Sequence, residues 1–293
     1  MNINWYPGHM LKTKREIIED LKLIDVIVEL LDARIQLSSQ NPDIAKLIAN
    51  KKRIILLNKS DLAEDMQNKK WVEHFKANNI IAIETDANIG KGIKEITKTI
   101  EKIMEGDIEK AISRGIAKRR IRIMIVGIPN VGKSSLINRL CNRKSAIVGN
   151  KPGVTKQKQW VKISENIEVL DTPGVLWPKF EDEKTSLNLA YIGTIKDELL
   201  QKTEVAFSLL EYLYNNYKKE LFERYKLTDD ELSNIMQDEG AYEENKIYSL
   251  MQLIALKRGA LLSMGNIDDE KIAGIILTEF RSGKIGKVTL EKI

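Results

Sequence analysis

The feature that most constrains this chain is an apolar run that breaks into glycines and a lysine between Ile121 and Ser135. Ile121, Ile123, Ile125 and Val126 form a β-branched run suited to the core of a sheet. The run ends in Gly127-Ile-Pro-Asn-Val-Gly132-Lys133-Ser134, which fits G-x-x-x-x-G-K-[ST]. In such a loop the glycines let the backbone N–H groups, here those of Asn130 through Ser135, wrap a phosphate. Lys133 would carry positive charge toward the β and γ phosphates, and the Ser134 hydroxyl would bind Mg²⁺. Leu136-Ile-Asn-Arg-Leu140 has helical spacing, so a helix N-terminus also faces the phosphates. The plain alternative is a Gly-rich turn before a helix. The order strand, loop, helix favours the phosphate loop.

With 293 residues the chain has room for about two domains. A hydrophobic content of 43% beside 30% charged residues describes a globular protein able to bury a core. The net charge of +5 fits a polyanionic partner and a well-solvated surface equally. Cys141 is the one cysteine, which excludes an internal disulfide; among apolar neighbours it reads as a core thiol in a reducing compartment. The opening residues lack the pattern of a secretory signal, and no apolar stretch approaches the roughly 20 residues that cross a bilayer. A cytoplasmic protein without membrane contact is expected.

Along the chain, Trp5-Tyr-Pro-Gly-His-Met10 carries a turn signal at Pro7-Gly8, and an amphipathic helix should follow with Leu11, Ile17, Ile18 and Leu21 apolar. Asp25–Leu31 reads as a buried strand ending at Asp32-Ala-Arg34, Leu37–Pro42 as a loop, and 44–49 as a short helix. A second buried strand, Arg53–Leu57, runs into Asn58-Lys59-Ser60-Asp61. This N-K-x-D lies at the carboxyl end of a strand, where open α/β sheets bind ligands. The Asp61 carboxylate can accept from guanine N1–H and the 2-amino group, a donor pair that adenine lacks. Asn58 can bond N7 and support the loop, and the Lys59 stem can lie against the base. Residues 71–78 should be helical, with His74 at the surface, and Ile80–Ile83 a third strand. It leads to Thr85-Asp-Ala-Asn88, similar to the S-A-K guanine loop, with Asp86 in place of Ser. The Ala87 N–H could still reach guanine O6. Ile93–Ile103 reads as a helix and 104–120 as a mixed linker ending in Lys118-Arg-Arg120, either solvated or touching RNA backbone.

Thr155 lies about twenty residues past Lys133, where a switch loop supplies a second contact to Mg²⁺ and the γ phosphate. Residues 160–164 and 167–170 should pair across Glu165-Asn166. The second strand ends in Asp171-Thr-Pro-Gly174, a D-x-x-G in which Asp171 would hold Mg²⁺ through water and the Gly174 N–H would contact the γ phosphate.

An ordinary GTP-binding domain runs phosphate loop, switch threonine, D-x-x-G, N-K-x-D, S-A-K. Here the last two come first, a circular permutation that leads D-x-x-G directly into the C-terminal region. The fold class expected is therefore α/β: a circularly permuted P-loop domain with a mostly parallel, doubly wound sheet at 1–178, then an all-α domain at 179–293. In the latter, Val205, Leu209, Tyr212 and Leu213 form one apolar stripe, and Ile247, Leu250, Ile254 and Leu261 another. Asp268-Asp269 should cap a third helix carrying Ile272, Ile275, Ile276 and Phe280.

The motif order, the opening Trp5–Met10, the Gly127–Ser135 loop and Asp171-Thr-Pro-Gly-Val-Leu-Trp-Pro-Lys-Phe180 resemble the YlqF/RbgA family of ribosome biogenesis GTPases over nearly the whole chain. The resemblance implies GTP hydrolysis, late assembly of the large ribosomal subunit, and a C-terminal helical domain that engages ribosomal RNA. Val175 stands where many GTPases carry the glutamine that orients water. The resemblance points instead to His9, although a histidine in a turn is more often structural. Asn130 matches the asparagine that in related GTPases helps hold K⁺ near the phosphates. The partners implied are GTP, GDP and the large subunit, with the chain acting as a monomer. Two functions follow: a switch enzyme whose hydrolysis on the particle drives release, or an RNA-binding module in which GTP orders the domains and hydrolysis is incidental.

Overall fold

The β-branched runs form a six-stranded sheet, in a computed structural model that describes residues 18–48, 50–117, 119–141, 159–171, 182–238 and 246–293. The strands are β1 (Val26–Asp32), β2 (Lys52–Asn58), β3 (Ile81–Glu84), β4 (Ile121–Gly127), β5 (Gln159–Lys162) and β6 (Ile167–Asp171). Their spatial order is β3-β2-β1-β4-β6-β5, all parallel except β5, which pairs antiparallel with β6 at the edge. All seven residues of β1 are buried, as expected of a parallel strand covered on both faces. Leu31, Ala33, Ile55 and Leu57 pack with Ala63, Trp71 and Phe75, the last two on α2 (Asp65–Ala77). Ile27, Met124, Val126 and Leu170 pack with Leu21, Ile24 and Ile48, just beyond α1 (Pro42–Leu47). α3 (Ile93–Ser113) buries Ile96, Ile100 and Met104, and α4 (Lys133–Leu140) buries Leu136 and Ile137.

The chain divides into two compact units, Met1–Ser186 with Thr289–Ile293, and Leu187–Val288. α5 (Glu183–Tyr191) crosses the division; the second unit holds α6 (Lys202–Asn216), α7 (Lys218–Tyr225), α8 (Asp229–Asp238), α9 (Lys246–Arg258) and α10 (Asp269–Arg281). Val205, Leu209 and Leu213 on α6, Leu250 and Ile254 on α9, and Ile272, Ile276 and Phe280 on α10 are buried. Asp268 caps α10, its carboxylate accepting from Lys271 N at 2.9 Å. The return of Thr289–Ile293 to the first unit has no counterpart in the expected boundaries.

Four local expectations need correction. Residues 104–113 continue α3 rather than forming a linker, because Met104 stays on its buried face and the run carries the helix-favouring Glu105, Glu109, Lys110 and Ala111. α2 begins at Asp65, not Trp71; its first turn carries Asp65, and Gln67 and Asn68 are buried before the apolar residues start. Leu261 lies beyond the end of α9, which stops at Arg258 before Gly259 at φ +63°, and its side chain is exposed. Cys141 caps the end of α4 and is half-buried rather than a core thiol.

Leu56 sits mid-sheet, between β1 and β3, with no exposed surface. Leu56→Ala is expected to lower unfolding free energy by about 2–5 kcal/mol, as read by denaturant titration.

Candidate functional site

The parallel register decides which loops meet. β1 ends at Asp32 opposite Asn58 of β2, Leu57 pairs with Glu84 of β3, and Leu30 pairs with Gly127 of β4. The N-K-x-D, T-D-A-N and phosphate loops therefore leave the same edge of the sheet. β1 and β4 are neighbours, and the chain winds away from them in opposite directions, which makes this edge a topological switch point.

Asn58 joins the three loops. Its Nδ2 donates to Val131 O at 2.7 Å, its Oδ1 accepts from Ala87 N at 3.1 Å, and the Thr85 hydroxyl lies at 3.4 Å. Gly132 holds φ +103°, and a Cβ placed there would lie 2.5 Å from Asn58 Nδ2. Glycine is thus required both by conformation and by the approach of the amide. Asn130 also lies in the left-handed region, at φ +61°. Lys133 is buried, and its ammonium donates to Gly127 O at 3.1 Å and Ile128 O at 3.2 Å, which places it within the curve of the loop. α4 starts at Lys133, so Lys133, Ser134 and Ser135 occupy its first turn, where helix N–H groups have no intrahelical acceptor. On the far end of α4, Arg139 donates to Ile89 O at 2.7 Å, and so ties this helix to the T-D-A-N loop.

In the T-D-A-N loop, Asp86 closes a turn: its Oδ1 accepts from Asn88 N at 2.7 Å and from Ile89 N at 3.3 Å. An aspartate at a position where serine is usual thus orders the loop through its own side chain. The Asp61 carboxyl is raised above its ordinary value, first by burial and then by the facing Asp86 carboxylate. Ser60 is buried; its N–H donates to Thr85 O at 3.1 Å, and Asn68 Nδ2 donates to its carbonyl at 3.0 Å. The Ala87 N–H, assigned from sequence to guanine O6, is the one that donates to Asn58 Oδ1 here.

Sequence reasoning passed over Asp32 and Arg34 as the mere end of a strand. Asp32 is fully buried, and the Arg34 guanidinium forks onto it through Nε at 2.9 Å and Nη2 at 2.8 Å. The Lys59 ammonium lies 3.0 Å from Asp32 Oδ2, while Lys59 itself holds φ +57°. Burial alone would raise the Asp32 carboxyl, but the two cations and the Arg34 hydrogen bonds reverse this and hold it far below the usual carboxylate range. The signal available in the sequence was an acid and an arginine two residues apart at the end of a largely apolar strand. His9, Thr155 and Gly174 lie outside the described residues, as does the side chain of Asp171.

A family model described as 50S ribosome-binding GTPase matches residues 122–248. The chain is 44% identical over 291 residues to a Bacillus cereus protein named ribosome biogenesis GTPase A, spanning 99% of this chain and 94% of that one. A Priestia megaterium protein of the same name is 44% identical over 292 residues, spanning 99% and 97%. The crystal structure of GNP-bound YlqF from T. maritima superimposes with a TM-score of 0.64 at 26% identity, spanning 96% of this chain and 98% of that one.

Two outcomes are expected from these charges. Asp32→Ala leaves Arg34 and Lys59 without their buried counter-ion and should destabilise the protein by about 3–5 kcal/mol in denaturant titration. Because the Asp32 value is depressed in the fold, its contribution is present above the ordinary aspartate range and is lost only in stronger acid. Asp61 has the opposite sign. If ionised Asp61 accepts guanine N1–H, as expected from the sequence, GDP affinity should be full above its raised value and fall as pH drops through it. Asp86→Ser removes the facing charge and should move that fall to lower pH, read by calorimetric titration of GDP across the acid range.

Proposed function

This chain belongs to the ribosome biogenesis GTPase A family, and we propose that it is a switch enzyme that docks on an immature large ribosomal subunit, hydrolyses GTP there and departs. The observation that carries this is the Asn58 amide, which brings the phosphate loop and both guanine loops to one edge of the sheet. In this reading Asn58, Lys59, Ser60 and Asp61 bind the base with Asp86 and Ala87. Asn130, Val131, Gly132, Lys133, Ser134 and Ser135 bind the phosphates, joined by Gly174. A site built to pair guanine donors rejects adenine by on the order of 10⁴-fold.

The Lys133 ammonium inside the loop and the first turn of α4, whose N–H groups lack intrahelical acceptors, fit a phosphate bound with its cation. Ser134, Thr155 and Asp171, the last through water, would hold Mg²⁺, which neutralises charge on the β and γ oxygens. Asn130 would hold K⁺ beside the phosphates. His9 would orient the attacking water once the particle places the N-terminal segment, since Val175 has no polar group with which to do so. No helix among the described residues is long and apolar enough to cross a membrane. We place the protein in the cytoplasm, as a monomer whose helical unit contributes to ribosomal RNA binding.

The test is GTP turnover in potassium buffer with and without purified large subunits. A rise of roughly tenfold or more is expected, toward the range by which partner-supplied groups accelerate GTPases. Unchanged turnover beside intact GTP binding would favour the module in which GTP only orders the domains.

A further inference from the structure

After the helical unit ends at Val288, the chain returns to the first unit for Thr289–Ile293. Nothing in these five residues matches a motif, yet Thr289, Leu290 and Glu291 are buried. The Glu291 carboxylate accepts from the N–H of Leu37 and of Ser38, the latter at 3.0 Å, and from the Ser38 hydroxyl. Leu290 N donates to Arg34 O at 2.9 Å. The segment therefore fastens the loop that follows β1.

That loop is the one that presents Asp32 to Lys59. Ser39 Oγ accepts from Asp32 N at 3.1 Å and donates to Ile35 O at 2.6 Å. Arg34 holds the Asp32 carboxylate, which in turn meets the Lys59 ammonium, and Ala33 N donates to Asn58 O at 2.8 Å. The same five residues also grip the other flank of N-K-x-D. Thr289 Oγ1 accepts from Glu64 N at 3.0 Å, and Glu291 O accepts from Trp71 Nε1 at 2.9 Å on α2. Three residues before Trp71, Asn68 of α2 holds the Ser60 carbonyl. Asn58–Asp61 is thus bracketed on both sides by elements that Thr289–Ile293 joins together.

We propose that Thr289–Ile293 is a positioning element of the guanine-recognition site, with Glu291 its positioning residue. It touches no nucleotide. It acts through the Arg34–Ser39 loop on Asp32 and Lys59, and through Glu64 and Trp71 on the segment after Asp61. Base recognition is by this route coupled to the segment that leaves the helical unit, and by reciprocity a bound guanine steadies the segment. The inference rests on the reading of Asn58–Asp61 as the base site.

The test compares full-length wild type, Glu291→Ala and Glu291→Gln by equilibrium titration of GDP and of ADP, well below the melting temperature. ADP shares the ribose and phosphate contacts and differs at the base. Loss of positioning should lower the preference for GDP over ADP by about tenfold in Glu291→Ala, the size of an ordinary coupling between sites. Glu291→Gln keeps an acceptor for the Leu37 and Ser38 N–H groups and should recover part of the preference. In the wild type, GDP should slow amide hydrogen exchange at Ser38 and Leu290, a readout that survives if Glu291→Ala does not fold. A lower melting temperature with an unchanged preference, or GDP and ADP weakened alike, would make Glu291 merely structural and overturn the proposal. Exchange at Ser38 and Leu290 indifferent to GDP would overturn it equally. A wild type that does not prefer GDP to ADP at all would instead overturn the base-site assignment, and this proposal with it.

Discussion

One carboxamide has to satisfy three loops at once. Asn58 gives its N–H to the phosphate loop at Val131 and its oxygen to Ala87 in the T-D-A-N loop, while its own backbone closes β2. That is possible because β2 and β4 are held by β1 in a fixed parallel register, and because Gly132 has no side chain where the amide passes. A buried amide without partners would cost free energy, so the arrangement is stable only when all three loops are in place together. The sheet supplies the spacing and the amide converts it into a single site.

Around this amide the protein buries charge instead of apolar surface. Asp32, which has no exposure to solvent, faces the buried Arg34 and the partly exposed Lys59. Such a cluster is seldom the most stabilising way to fill a volume, because desolvation opposes the attraction. It does, however, define positions closely: the guanidinium fork admits one orientation of the carboxylate, and the carboxylate then fixes where the ammonium sits. Lys59 needs that restraint because its backbone is in a left-handed conformation that a non-glycine residue adopts with strain.

What could be read in the sequence was the chemistry that is contiguous. The phosphate loop and N-K-x-D each occupy one strand end, so a short pattern carries their geometry, and the motif order alone revealed the permutation. The helix over 104–113 was obscured because Gly106 and the charged residues around it resemble a linker, while the burial of Met104 depends on tertiary packing. Asp32 and Arg34 carried a weak signal, acid and base at a strand end, whose meaning lies in Lys59 on the next strand. Thr289–Ile293 carried no signal, since the bonds by which it holds Ser38, Glu64 and Trp71 run to residues more than two hundred positions earlier. Local pattern determines elements, but long-range pairing has no local signature.

The helical unit is an insertion within the first unit, not an appendage to it, because the chain enters it after Ser186 and comes back at Thr289. Translation makes this a matter of timing. At synthesis rates of about 5–20 residues per second, the helical unit occupies the ribosome for roughly 5–20 s after the sheet strands have been made. Throughout that interval the sheet can form, but the loop after β1 lacks Glu291, and Trp71 lacks its acceptor. The nascent first unit is therefore a folded sheet awaiting its last strap, and its maturation is set by the length of the domain inserted within it.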